Sequence, residues 1–199
     1  MKLYWCERTR AVRAAWMMEE LGAPYELVRI DIRNEQSRAD PAFRAASPMG
    51  KVPALEDGAV RIWDSGAICA YLADHYPAAK LAPPIGSPDR GAYLMWLMYT
   101  NAVIEPAMGE KFGGLKPNPV SYGWGSWEQM LTTLRAGLSR GPWILGESFC
   151  AADVLLGMSC AFLRQFKMIA DEPVLFAYAE RCAARPAFQR AYALEPTTG

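Results

Sequence analysis

The feature that most constrains this chain is a break rich in proline. Pro77, Pro83, Pro84, Gly86 and Pro88 all fall between positions 77 and 88. Each proline fixes φ and removes a backbone donor, so no regular helix or strand survives four of them so close together. Before the break, strand and helix patterns alternate. Residues 2–5 read as a short strand, Thr9 as a helix N-cap and Gly22 as a helix stop. Between these two, Val12, Ala15, Trp16 and Leu21 share one helical face. Tyr25 to Ile32 alternates apolar and polar residues, as a second strand would. Asp57-Gly58 between two short apolar runs is a hairpin signal, and a helix pattern follows from Asp64 to about Tyr76. The order is β-α-β-α-β-β-α, opening on a βαβ unit. Beyond the break only helix patterns occur, at 89–112, 126–139, 151–164, 172–184 and 186–193, with Gly, Pro and Asn interrupting at 113–123 and 141–146. The spacing therefore predicts an α/β domain over 1–76, a linker over 77–88 and an all-helical domain over 89–199.

Charge and cysteine usage narrow the function. The chain has 21 basic and 21 acidic residues, and the first eighty positions balance separately at 11 of each. Nucleic acid and anionic membranes reward a net positive face, so neither is expected as the main partner. The start, Met1-Lys2-Leu3-Tyr4-Trp5-Cys6-Glu7-Arg8, carries charges where a signal peptide is apolar, and no apolar run reaches membrane-spanning length. Cys6, Cys69, Cys150, Cys160 and Cys182 are odd in number and widely spaced, which argues against a disulfide framework and a zinc site. His75 is the only histidine, so no metal is expected and hydrolases built on a Ser-His or Cys-His pair are excluded.

Three constellations carry chemistry. In Ser47-Pro48-Met49-Gly50-Lys51-Val52-Pro53-Ala54-Leu55, a cis Val52-Pro53 bond would turn the Val52 N–H and C=O outward, where an extended peptide pairs as an added strand. A trans proline that begins a strand is the alternative. In Asp64-Ser65-Gly66-Ala67, a helix start attracts a carboxylate, the Ser65 hydroxyl adds a hydrogen bond, and Asp64 faces an ammonium. The alternative is ordinary N-capping. Cys6 lies in the loop between the first strand and first helix, with Arg8 and Arg10 close by, a setting that lowers a thiol pKa. A buried, inert cysteine is the alternative. Tyr4 and Thr9 are the neighbouring hydroxyls, with a strand residue and a helix cap as their plainer roles.

In this order and at this spacing the motifs resemble the cytosolic glutathione transferases of bacteria. The resemblance rests on Leu3-Tyr4-Trp5-Cys6 with Thr9-Arg10, Glu19-Glu20-Leu21-Gly22, the Ser47–Leu55 run, Asp64-Ser65-Gly66-Ala67-Ile68 with Tyr71-Leu72-Ala73, and Gly146-Glu147, Phe149, Ala151-Ala152-Asp153. It spans the whole chain. It implies a thioredoxin-like front domain, a helical back domain, glutathione as co-substrate, a small electrophile or disulfide as second substrate, a cytoplasmic homodimer and a role in detoxification. By this resemblance Asp64 and Ser65 hold the γ-glutamyl end of glutathione. Val52 before a cis Pro53 pairs with its cysteinyl unit, Lys51 meets its glycine carboxylate, Thr9 joins the binding site, and Cys6 takes the place of the thiolate-stabilising serine.

Two departures shape the expected chemistry. Many members of the family it resembles carry Ser-Pro where this chain has Cys6-Glu7. A thiol is a poorer donor to a thiolate than a hydroxyl, but it attacks disulfides itself, so Cys6 shifts the expectation from conjugation toward thiol–disulfide exchange. Cys150 replaces the usual Ser or Thr at a helix N-cap, with Asp153 three residues on reaching back to a backbone N–H, a structural role. Glutathione-dependent isomerisation or reductive dehalogenation, and a non-catalytic interaction module, are the other functions considered. Lys51, Asp64 and Ser65 speak against the last, since a scaffold needs no ligand-specific polar groups.

Overall fold

The computed structural model describes residues 1–194 of the chain. It contains two compact units, and the strands all lie in the first. That unit runs through β1 (Lys2–Trp5), α1 (Ala11–Leu21), β2 (Glu26–Arg29), α2 (Glu35–Arg38), α3 (Pro41–Ala46), β3 (Ala54–Asp57), β4 (Val60–Trp63) and α4 (Ser65–His75). The chain divides between Lys80 and Leu81, and the last helix, α10 (Pro186–Tyr192), returns to the first unit.

The sheet has the order β2-β1-β3-β4, with β1 parallel to β2 and the other pairs antiparallel. This thioredoxin-like arrangement puts the apolar β1 in the middle, where Leu3, Tyr4 and Trp5 are buried. Side chains alternate across a sheet, so Tyr4 packs with Ile30, Phe43, Ala46 and Ala54 beneath α3, while Leu3 and Trp5 point the other way. The second strand is shorter than the alternation from Tyr25 to Ile32 suggests. Its partner β1 ends at Trp5, and after Ile30 N–H bonds to the Trp5 carbonyl at 2.8 Å there is no strand left to pair with. Two short helices stand between β2 and β3 where one was expected. Asn34 and Asp40 each cap a new helix start, with side-chain bonds to Gln36 and Phe43 N–H of 2.9 and 2.8 Å. At the hairpin, Gly58 alone takes positive φ (58°), the pattern of a II′ turn with glycine first.

α10 is held on α1 by a clamp of named groups. Arg185 forms a two-pronged pair with Glu20 at 2.6 and 2.7 Å, and Trp16 Nε1 donates to the same carboxylate at 2.8 Å. Arg190 pairs with Glu19 at 2.7 Å, and Phe188 meets the Trp16 ring edge-on at 5.0 Å.

The second unit is helical: α5 (Arg90–Tyr99), α6 (Glu105–Gly113), α7 (Trp127–Leu138), α8 (Ala151–Gln165) and α9 (Pro173–Ala183). The helix expected over 89–112 is present, but a π turn at Thr100–Ile104 divides it. Pro106 is the physical reason. It has no N–H for an i→i−4 bond, and widening the preceding turn lets Glu105 N–H bond to the Thr100 carbonyl instead. α8 is buried from Ala151 through Cys160, which its nearly continuous apolar sequence requires. At its start Asp153 is fully buried and gathers four donors: Ile144 N–H, Tyr178 O–H, Cys150 N–H and the Cys150 thiol, at 2.8, 2.5, 2.8 and 3.2 Å. No helix among the described residues is long and apolar enough to cross a membrane.

Candidate functional site

The sheet register gathers the sequence candidates at one end. Tyr4 stands opposite Ala54, and Ala54 opposite Trp63. The residues just beyond these pairs are Cys6 after β1, Val52-Pro53 before β3, and Asp64-Ser65 after β4. β2 runs parallel to β1, so Ile30 to Arg33 emerge at the same end.

The loop before β3 is tied off by one side chain. Ser47 Oγ donates to the Lys51 carbonyl at 2.8 Å and accepts from Lys51 N–H at 3.0 Å. Gly50 turns the chain at φ 63°, and the Val52-Pro53 bond is cis. The N–H and C=O of Val52 enter no backbone hydrogen bond among the described residues. Lys51 is exposed beside them.

Asp64 caps its own helix. Its Oδ1 accepts from Gly66 N–H at 2.9 Å and Ala67 N–H at 3.1 Å. Two of the helix-start donors expected to face a ligand are therefore already engaged. What remains for a ligand carboxylate is the Ser65 hydroxyl and backbone. Asp64 also sits at φ 77°, ψ 127°, a conformation that costs a non-glycine residue about 1–3 kcal/mol and is concentrated at functional positions.

The thiol differs most from expectation. Arg8 and Arg10 were to lower the Cys6 pKa, but the pKa is raised. Cys6 is only 2% exposed, and desolvation disfavours its anion more than anything else acts on it. The Ile32 N–H and Arg33 pull the other way, while Glu7 and Asp31 add to the rise. Arg8 is exposed at φ 55°, and Arg10 is the N-cap residue, where it makes no side-chain cap bond. Thr9, expected as the cap, works from one position earlier: its hydroxyl accepts from Ala11 N–H at 3.1 Å and donates to the Cys6 carbonyl at 2.7 Å. The proton of Thr9 is thus committed to holding the Cys6 loop. Tyr4 is also committed, donating to Glu56 at 3.1 Å from a buried position that pushes its pKa up to about 12. Of the three groups near the end of β1, Thr9 and Tyr4 donate their protons to the Cys6 carbonyl and to Glu56, and among the described residues the Cys6 thiol donates to no group of the loop. Sequence reasoning missed the Ile32 N–H and the Ser47 clasp; the Ser-Pro-x-Gly spacing, with a hydroxyl ahead of a tight turn, was the available signal for the second.

This arrangement has known counterparts. Residues 8–75 match the family described as the glutathione S-transferase N-terminal domain. Glutathione S-transferase 3 of Zea mays is 28% identical, over 93% of this chain and 89% of its own length. Among solved structures, a sphingomonad glutathione S-transferase complexed with glutathione has a TM-score of 0.81 at 28% identity, with all of both chains covered. A bacterial zeta-class maleylpyruvate isomerase, itself a glutathione S-transferase, has a TM-score of 0.76 at 26% identity over the full length of both. Residues 8–75 thus carry a glutathione S-transferase N-terminal domain, and the chain as a whole is similar to glutathione S-transferases.

Proposed function

We propose that the chain is a glutathione transferase that binds glutathione across the end of its sheet and uses the glutathione thiolate to attack a small electrophile. The convergence of Cys6, Val52-Pro53 and Asp64-Ser65 set by the strand register carries this reading. The cysteinyl unit pairs with the backbone of Val52, Ser65 and Asp64 take the γ-glutamyl end, and Lys51 draws the glycine carboxylate. Thr9 contributes by fixing the loop.

Burial decides what Cys6 does. Because its pKa is raised, Cys6 stays protonated at neutral pH and serves as a donor, weak as thiols are, to the glutathione sulfur. Attack by Cys6 on a disulfide needs its own thiolate, which burial opposes. Conjugation is therefore favoured over disulfide exchange, the reverse of the balance expected from residue type alone. An isomerisation through the same glutathione thiolate is the second reading, supported by the likeness to a zeta-class isomerase. The family resemblance extends the proposal to a cytoplasmic homodimer with a detoxifying role, and five cysteines outside any disulfide accord with a reducing compartment.

Calorimetric titration with glutathione tests the placement. Asp64→Ala and Ser65→Ala are each expected to weaken binding by roughly 1.5–3 kcal/mol, as for loss of a hydrogen bond to a charged group. Unchanged affinity in both folded variants would refute it.

A further inference from the structure

The helical unit holds a buried carboxylate that the glutathione reading does not use. Glu110 lies in the last turn of α6, which ends at Gly113, and is only 7% exposed. A helix C-terminus carries partial negative charge, so an acidic side chain is disfavoured there. Burial adds the cost of taking the charge out of water. Little within the unit offsets these two costs. Trp124 Nε1 donates to Glu110 Oε2 at 2.9 Å, and this neutral indole is the only hydrogen-bond partner of the carboxylate among the described residues. Oε1 accepts no bond from them, and no lysine or arginine among them stands within ion-pair distance. Lys111 is next in sequence, but its ammonium lies over the Trp127 ring, 4.1 Å from the centroid.

Aromatic surface adjoins this carboxylate. Tyr122 stacks on Trp124, with centroids 4.6 Å apart and planes 27° from parallel. Both rings are half-buried, on the segment that leads from α6 into α7. Aromatic faces carry negative potential and attract cations. A free carboxylate oxygen beside such rings asks for a ligand that brings both an N–H donor and a positive charge.

The chemistry of the surroundings separates the possible ligands. A hard metal cation takes six or more oxygen ligands, and Glu110 belongs to no group of three or more metal-ligating side chains among the described residues. An anion would be repelled. A neutral apolar molecule would leave Oε1 without a donor and bury the charge further. An organic ammonium ion meets every demand: its N–H satisfies Oε1, its charge balances the carboxylate, and its hydrocarbon body covers the rings. We propose that Glu110, with Tyr122 and Trp124, forms a binding site for an organic ammonium ion. The site lies within the helical unit and does not depend on the glutathione reading above.

The test uses three ligands with one aromatic body and different charge: 2-phenylethylamine, 2-phenylethanol and 3-phenylpropionate. Each is titrated by calorimetry, without glutathione, into the wild-type chain and into Glu110→Gln, which keeps the size of the side chain and an acceptor for Trp124. The wild type is expected to bind the amine at least about tenfold more tightly than the alcohol, with the carboxylate weakest, as for a charge-assisted hydrogen bond. In Glu110→Gln the amine should fall to within about twofold of the alcohol, while the alcohol itself changes little. Thermal melting checks that the variant is folded; if it is not, the order of the three ligands on the wild type decides. Equal affinity for amine and alcohol on the wild type, no saturable amine binding at millimolar concentration, or an amine preference that survives in folded Glu110→Gln overturns the site. None of these results bears on glutathione binding, which its own titration tests.

Discussion

Replacing Asp153 by alanine would remove one carboxylate and orphan several donors at once. Ile144 N–H, Cys150 N–H and the Tyr178 hydroxyl all point to it from buried positions, at 2.8, 2.8 and 2.5 Å. Each donor left without an acceptor costs roughly 1–3 kcal/mol, while relief of the desolvated charge returns part of that, so a net loss of about 3–6 kcal/mol is expected. That exceeds the roughly 0.5–2 kcal/mol that loss of a simple helix cap would give. At roughly 2–4 °C per kcal/mol for a chain of this size, the melting temperature should fall by on the order of 10 °C or more. The pH dependence has a definite sign. Burial raises the Asp153 pKa in the folded state, with its hydrogen bonds opposing, above the unfolded value of about 3.9. The folded state therefore binds the extra proton. The stability this contributes is complete below about pH 4 and is lost as pH rises through the folded pKa. The difference in melting temperature between wild type and the alanine variant should be larger near pH 4 than near pH 7. Calorimetric melting across that range is the assay. A variant melting within about 2 °C of wild type, or a difference that grows with pH, would refute the reasoning.

Three further outcomes follow from the site and from the α1–α10 clamp. Cys6→Ser should keep or raise conjugation of a small aromatic electrophile while abolishing any glutathione disulfide reduction, and Cys6→Ala should lose both; full activity of the alanine variant in both assays would make Cys6 a bystander. In the wild type, alkylation of Cys6 should rise with pH later than that of a free cysteine (about 8.5). Glu20→Gln should cost about 2–4 kcal/mol, because Glu20 is only 7% exposed and the change removes the charge from its two-pronged pair with Arg185. Faster hydrogen exchange in α10 than in α1 would show where the loss falls.

Much of this was legible in the sequence because local rules act on it. The proline-rich break, the Gly22 stop with its amide on the Met18 carbonyl, the glycine turn at 58 and Asp64 as an N-cap all depend on residues close in the chain. Cys150 and Asp153 were readable for the same reason, though only half of the Asp153 network was: Ile144 and Tyr178 come from elsewhere in the chain. What escaped the sequence depends on tertiary surroundings. Whether Cys6 is ionised depends on its burial and on Ile32, twenty-six positions away, not on the arginines beside it. The end of β2 is set by where its neighbour stops. The π turn compensates for Pro106, which the helix pattern over 89–112 runs through without marking.

The central claim is that glutathione lies across the end of the sheet against Cys6, Val52 and Ser65. The most direct measurement is a titration of the ¹⁵N-labelled chain with glutathione, following backbone amide resonances. Saturable shifts are expected at residues 6–10, 50–54 and 64–67, with Val52 among the largest because its N–H gains a hydrogen bond to the ligand. No shift at millimolar glutathione, or saturable shifts confined to residues 81–183, would contradict it.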